Sequence, residues 1–401
     1  MNARQLSFKL WVINLASIAG CTVSYVYLSY YLYTATGNVL LADAVLIAPM
    51  LVPVLLYAAI KKVAASGSPR PIFALANVGC LFSSLAIYTL LPSVPMIALG
   101  GALVIGFFDA LQRVSRVVAI KRFFSGEDVK FAVPMTLTAQ FIAGGLAGVL
   151  LVYFRGETTP MIILSTVATL FVLAGLVSLL LPRSKTIEKT EGPNAPKLLK
   201  SDSLARLLKS NPILKQYLMG SIVFVSIFQG FFNISRVALP AHQLGLTDEY
   251  VGYLQIISSF AALAAALAFY FYNKTGRTLG AKAVRMVSVL SLGALCAAST
   301  GTGLASSFIA YFAYMFMWEV LFFNYEANVV SACSSEDMAH VATYQYAASY
   351  FGIITVTLLG GLVTQYLGLL STACILSAGY LLYMIGNSFS SRPATVIQYS
   401  E

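Results

Sequence analysis

Residues 107–116 read FFDALQRVSR and place Asp109, Gln112, Arg113 and Arg116 at i, i+3, i+4 and i+7. On a helix, that spacing puts all four on one face. Around them, from Pro95 to Ile120, the chain is Ala, Leu, Val, Ile, Gly and Phe almost throughout. On insertion scales a charged side chain costs about 2.5–3.5 kcal/mol at the centre of a bilayer. The face must therefore look at something other than lipid. If it lines an aqueous cavity, the guanidinium groups could grip a carboxylate or phosphate through two-pronged hydrogen bonds. The alternative is structural: Asp109 and Arg113 pair along the helix while Arg116 extends its charge to the membrane surface.

A second constellation is MWEVLFFNYEAN, residues 317–328, where Glu319 and Glu326 lie two turns apart beside Asn324 and Tyr325. A carboxyl that gains and loses a proton as its surroundings turn from wet to dry is what proton coupling requires. Glu319, nearer mid-membrane, is the leading coupling candidate, with Glu326 and Asp109 behind it; the alternative is structural pairing with an arginine. Gln229, Asn233 and Arg236 fall at i, i+4 and i+7 in a third run, offering amide donors and acceptors and a guanidinium fork. Arg236 is alternatively an interfacial anchor. Asn14, Ser17, Cys21 and Tyr25 form a similar stripe near the N-terminus, and Tyr344, Gln345, Tyr346 and Tyr350 another near the C-terminus. With Gln140, Asn324 and Tyr325, the polar members Asn14, Tyr25 and Tyr346 complete the candidate solute-binding set. Tyrosines near span ends also serve as interfacial belts. Asp43, His242 and His340 are expected at the surface, since neither histidine has metal-ligand spacing to another.

The elements that must carry these residues are membrane helices. The 401-residue chain is 59% hydrophobic and 10% charged, with a mean hydropathy of +0.81. Apolar runs of about 20 residues, the length of a helix crossing a bilayer, recur along its whole length. The first is followed by others and lacks a small-residue cleavage site, which argues against a removed signal peptide. Twelve spans are expected, near 10–33, 40–62, 71–91, 95–120, 131–154, 159–181, 213–237, 250–272, 281–302, 306–330, 340–366 and 369–389. The long polar stretch between the sixth and seventh contains Pro, Gly, mixed charge and a candidate short helix, SDSLARLLKS. The expected organisation is a six-helix bundle over 1–182, a linker over 183–212, a second bundle over 213–390, and a tail over 391–401.

Lys and Arg sort to one side of these spans: Arg4, Lys9, Lys61, Lys62, Arg70, Lys121, Arg122, Lys130, the linker, Lys274, Arg277, Lys282, Arg285 and Arg392. The opposite loops contribute only Arg155. By the positive-inside rule both termini and the linker face the cytoplasm of an inner or plasma membrane. The net charge of +10 is thereby a topology signal, and a nucleic-acid partner is not needed to explain it. Five cysteines stand singly, with no CxxC or Cys/His cluster, so neither a disulfide framework nor a zinc site is supported.

An internal repeat points to two related halves. SGEDVKFAVPMTLTAQFIAGGLAGVL (125–150) is similar to SSEDMAHVATYQYAASYFGIITVTLLGGL (334–362). Both run from a Ser-x-Glu-Asp loop into a span with glycines near its far end. Paired six-helix halves with a binding site between them at mid-membrane are a transporter architecture.

On helix count, linker position and polarity the chain resembles the major facilitator superfamily. NKTGR, residues 273–277, resembles that superfamily's loop signature Asp-Arg/Lys-x-Gly-Arg/Lys, with Asn273 in place of the aspartate. The resemblance implies that Asn273, Gly276 and Arg277 act as a conformational latch. Physically, the glycine allows a tight turn and the arginine can bond helix C-terminal carbonyls. It also implies that the first and fourth spans of each half line a central cavity. The corresponding first-half loop, KKVAASGSPR, lacks the motif, and the Gly-Pro of drug–proton antiporters is missing from AGGLAGVL (143–150) and GIITVTLLGG (352–361). Compact exporter branches, such as drug, macrolide or siderophore exporters, are the nearest in general pattern.

The function expected is secondary active transport of a small anionic or zwitterionic organic solute by alternating access. Proton-coupled efflux of a drug- or siderophore-like molecule is favoured, with proton-coupled uptake of an anionic nutrient or metal chelate as the alternative. The proton gradient would be the energy source, without a cofactor, in a monomer within the lipid bilayer. An enzyme is disfavoured: no Ser/His/Asp set, HExxH or nucleotide-binding glycine loop is present. A transporter-fold sensor or scramblase is a third class, and a sensor would be expected to lack the coupling acids.

Overall fold

The computed structural model describes residues 3–36, 39–66, 68–124, 127–153, 160–183, 204–246, 249–275 and 279–390. Among them the chain is helical throughout, without strands: α1 (Ala3–Thr36), α2 (Val39–Leu55), α3 (Tyr57–Ser66), α4 (Pro69–Leu90), α5 (Ile97–Phe123), α6 (Glu127–Tyr153), α7 (Pro160–Leu179), α8 (Leu204–Ser210), α9 (Pro212–Val237), α10 (Glu249–Lys274), α11 (Ala281–Ala298), α12 (Leu304–Ala332), α13 (Met338–Leu367) and α14 (Leu369–Ser390). Arg155, Gly276, Arg277, linker residues 184–203, the tail 391–401 and the side chains of Asp43 and His242 lie outside the described residues.

Ten of these helices are long and apolar enough to cross a membrane, and α2 with α3 makes an eleventh if the pair is one span. The apolar stretch within α6 runs from Phe131 to Leu146. An unbroken second span was expected over 40–62, but a 66° bend separates α2 from α3. Pro49 and Pro53 lie inside α2; each removes a backbone donor and crowds the preceding turn, so the helix is weakened one turn before the break. Elsewhere the local signals act as expected. Pro212 begins α9, where its missing N–H costs nothing, and the Asn211 side chain accepts the Leu214 N–H at 3.0 Å. Gly368, at φ +84°, ends α13 and lets the chain turn directly into α14.

Helices α1–α7 pack on one another, as do α9–α14; α2, α3, α5 and α6 meet α10, α12 and α13 across the middle. Small residues set the closest approaches. Gly352 of α13 lies against Ser226 of α9, Gly230 of α9 against Val356 of α13, and Gly106 of α5 against the backbone of Pro49.

The cores show which end is closed. One continuous cluster joins both sets of helices at the Lys/Arg-rich end, with Val117, Ile120 and Val129 packed among residues such as Phe269, Val330 and Val341. Further along, each set has a core of its own: one around Tyr27, Ile105 and Phe171, the other around Phe228, Leu254 and Tyr314. Lys121 reinforces the shared end by donating to the Ser331 carbonyl at 3.3 Å. Burial therefore seals the basic end and leaves a cavity between the halves above it.

Candidate functional site

The central cavity encloses about 310 Å³ and is walled by α1, α2, α5, α6, α9, α10, α12 and α13. That is near the lower end of the range for small-molecule sites. Arg113 and Arg116 reach it from α5, and Glu319 and Glu326 from α12. The cationic and acidic stripes singled out in the sequence thus share one chamber.

Within α5, the Arg113 Nε donates to both Asp109 carboxylate oxygens at 3.1 Å. The pair largely cancels its own charge while Arg113 still touches the cavity. Arg116 is only 2% exposed, and its Nη2 donates to the Tyr346 hydroxyl of α13 at 2.7 Å. It does not extend to the membrane surface, because the shared core encloses α5 at this level. Its Nε and Nη1 have no partner. Two idle donors on a buried cation are costly and call for an acceptor.

On the facing wall, Gln345 of α13 donates through Nε2 to Glu326 Oε1 at 2.5 Å and to Ser221 Oγ of α9 at 2.9 Å. Arg116 and Glu326 line the same cavity. Glu319 is 1% exposed, and its Oε2 has no partner. Beside it the Trp318 ring stacks on Tyr314 at 12° and on Phe232 at 29°, each with centroids 6.4 Å apart. The Tyr314 hydroxyl, donating to the Phe228 carbonyl at 2.7 Å, fixes that platform. Six of the 24 lining residues are aromatic (Phe141, Phe232, Trp318, Phe322, Tyr346 and Tyr350). That is about twice the chain's 12% share, so the chamber offers flat apolar surface as well as charge.

Of the other expected residues, Gln140, Gln229 and Tyr346 also line this cavity. Gln112 is buried beside Cys80, donating to its Sγ at 3.8 Å. Asn14 is turned back on its own helix, donating to the Leu10 carbonyl at 2.9 Å, and the Tyr25 hydroxyl is buried without a partner. Asn233 donates to Thr357 Oγ1 at 3.3 Å, and the Arg236 guanidinium sits 5.9 Å from the Phe232 ring centre. None of these five is among the cavity-lining residues. Asn324 and Tyr325 open instead into a second cavity of about 170 Å³ between α9, α11, α12 and α14. Asn273, at the end of α10, has an Nδ2 without a partner, while its latch companions Gly276 and Arg277 fall outside the described residues. His340 packs near the Tyr57 ring, 6.4 Å between centres. No cluster of three or more His, Cys, Asp or Glu suited to a metal ion occurs among the described residues.

Several lining residues escaped sequence reading. Gln255, Ser258 and Ser259 of α10 line the cavity, and their i, i+3, i+4 spacing was a usable signal. Thr22 and Ile18 are the residues α1 presents. The Asn14–Ser17–Cys21 stripe faces away, with Ser17 donating to Asn77 of α4 at 2.9 Å.

The sequence matches the family profile of the Major Facilitator Superfamily over residues 10–357. No curated protein matches the chain in sequence. Among solved structures, it is similar to the human organic anion transporter MFSD10 (TETRAN), with a TM-score of 0.78 and 15% identity over 96% of this chain and 99% of that one. It is also similar to a bacterial homologue of the iron transporter ferroportin in an outward-facing state, with a TM-score of 0.74 and 14% identity over 96% and 100%. The E. coli fucose:proton symporter FucP aligns with a TM-score of 0.73 and 9% identity over 98% and 100%. At these identities the likeness establishes the fold.

Proposed function

Since the chain belongs to the major facilitator superfamily, we propose that it is a proton-coupled secondary transporter of a small anionic or zwitterionic organic solute. The observation that carries this reading is one chamber holding Arg113 and Arg116 on one wall and Glu319 and Glu326 on the other. Arg116 carries two buried donor nitrogens without a partner; Glu319, with no cation bonded to it, is the leading proton carrier. The aromatic platform of Trp318 and Phe232 suits a solute with a flat apolar body, and Gln140 and Gln229 supply neutral hydrogen bonds. One of the solved relatives is named as an organic anion transporter, which agrees with this reading.

In the proposed architecture twelve spans form two six-helix halves, 1–182 and 213–390, joined by a cytoplasmic linker. With the basic end cytoplasmic, the sealed end faces inward and the state is an outward-facing one. Alternating access then requires the shared core to part while the two upper cores converge. The NKTGR loop would latch one of these states.

The exporter-like sequence pattern favours efflux of drug- or siderophore-like organic acids. Uptake of an anionic nutrient or metal chelate is the second reading. The test is flux into proteoliposomes under an imposed pH gradient, using benzenesulfonate as a permanently charged aromatic anion and benzenesulfonamide as its neutral counterpart. Gradient-dependent movement of the anion but not of the amide supports the proposal. Equal movement of both, or of neither, overturns it.

A further inference from the structure

The second cavity, about 170 Å³ in volume, lies between the basic-end turns of α9, α11, α12 and α14. Helix α12 is the partition between it and the central chamber. Asn324, Tyr325 and Asn328 face the second cavity, whereas Glu319, Phe322 and Glu326 face the first. We propose that this second cavity is a separate binding site for a phosphate group, entered from the basic end and independent of the solute in the central chamber.

Asn324 shows that the cavity is built to meet a ligand. It is only 7% exposed, yet its carboxamide makes no hydrogen bond among the described residues; only its main-chain carbonyl is engaged, accepting from Asn328 Nδ2 at 2.8 Å. A comparably buried amide elsewhere is satisfied: Asn77 donates to the Phe73 carbonyl at 2.8 Å and accepts from Ser17 at 2.9 Å. An amide buried without a partner is costly unless something in the cavity meets it. The floor around it is fixed. The Tyr325 and Tyr380 rings both pack on Phe224, with centroids 5.4 and 6.0 Å away. Gly220 leaves the space that the Tyr325 ring occupies, since a Cβ there would lie 2.9 Å from Tyr325 Cε1.

Charge selects an anion. No Asp or Glu is among the described residues lining the cavity, and Arg285, the one charged residue among them, has no ion pair within the described residues. Ala281, Val284 and Arg285 are the opening turns of α11. That helix start has no acidic residue in its first turn and no side-chain cap, so its free N–H groups and partial positive charge add to the guanidinium. Shape then favours a tetrahedral group. Donors are presented from three walls, by Gln216 of α9, Arg285 of α11 and Asn324 of α12. A carboxylate offers two oxygens in one plane, whereas a phosphate directs oxygens to all three walls. The volume is below the usual range for organic ligands, which suits a single phosphate group. Two sources supply one: inorganic phosphate in the water at the basic end, and the headgroup of an anionic lipid beside α11 and α14, whose exposed side chains include Met286 and Leu382.

The test titrates the purified full-length protein, in phosphate-free detergent, with radiolabelled inorganic phosphate, using dihexanoyl phosphatidic acid and acetate as competitors. The expected result is saturable phosphate binding with a rise in Tm, and much weaker competition by acetate. Competition by the lipid, or binding of the lipid alone, assigns the group to a headgroup; phosphate binding that the lipid does not disturb assigns it to the free ion. Arg285→Gln should weaken binding about ten- to a hundredfold, whereas Arg116→Gln, in the central chamber, should leave it unchanged. Asn324→Leu should weaken binding while the ligand-free Tm stays level or rises, because an unpartnered amide is replaced by an apolar group of similar size. Failure of both phosphate and lipid to bind, or acetate competing as well as phosphate, overturns the proposal. So does binding unchanged in Arg285→Gln or Asn324→Leu, binding lost in Arg116→Gln, or a lower ligand-free Tm in Asn324→Leu, which marks the amide as structural. None of these results bears on transport through the central chamber.

Discussion

Tyr346→Phe removes one hydroxyl and with it the bond that ties α5 to α13 beneath the cavity. The Arg116 Nη2–Tyr346 contact, at 2.7 Å, joins the two sets of helices and involves a charged donor. Such bonds contribute about 1.5–3 kcal/mol. If the bond exists only while the basic end is sealed, its loss raises the open population about ten- to a hundredfold. The protein carries its own reporter. Cys333, at the end of α12, is a free thiol and 3% exposed. Burial, with a smaller push from Asp337, lifts its pKa to about 12 against the opposing pull of Lys121. The thiolate that reacts with alkylating reagents is therefore scarce while the end is sealed. Parting of the shared core exposes the thiol and returns it toward its ordinary range. In a background where Cys21, Cys80, Cys296 and Cys374 are replaced, the maleimide labelling rate of Cys333 should rise about ten- to a hundredfold in Tyr346→Phe. An unchanged or slower rate would refute the idea that this bond helps hold the basic end shut.

Other expectations concern the walls of the chamber. Glu319→Gln should abolish gradient-driven flux while solute exchange across the membrane continues; unimpaired gradient-driven flux rules Glu319 out as the proton carrier. Arg113→Gln and Arg116→Gln should each raise the half-saturating concentration far more for benzenesulfonate than for a neutral solute, and equal losses would remove charge recognition from the site. Gly352→Ala places a Cβ 1.9 Å from Ser226 Oγ and 2.6 Å from its Cβ. Relieving that overlap should cost about 1–3 kcal/mol, seen as a lower Tm that Ser226→Gly restores; no change in Tm would mean α9 and α13 do not approach so closely.

The helices and the charged stripes could be read from the sequence because membrane burial makes both conspicuous. A 27-residue helix such as α5 has nowhere to put Asp109, Arg113 and Arg116 except a shared face, and the fold turns part of that face to the cavity. What could not be read was rotation. Neighbouring residues on a helix point about 100° apart, so Glu326 enters the central cavity while Asn324 and Tyr325, two and one positions away, enter another. The same rotation sends Ser17 to Asn77 and leaves Thr22 to the cavity. Only knowledge of which neighbour packs where separates these outcomes. The break between α2 and α3 had a local signal in Pro49 and Pro53, but a hydropathy window averages over it. The shared core at the basic end had no signal at all, because each half contributes ordinary apolar residues that gain meaning only when packed together.

The most direct measurement follows anion and proton in the same vesicles. Proteoliposomes holding an entrapped pH dye are given an inward gradient of labelled benzenesulfonate at equal internal and external pH. The expected result is entry of the anion together with a change in lumen pH, a rise for the favoured exchange of anion against proton, and loss of both in Arg116→Gln. Anion entry that leaves lumen pH unchanged, or that persists undiminished in Arg116→Gln, would contradict transport through a chamber in which Arg116 and its facing acids bind the anion and the proton.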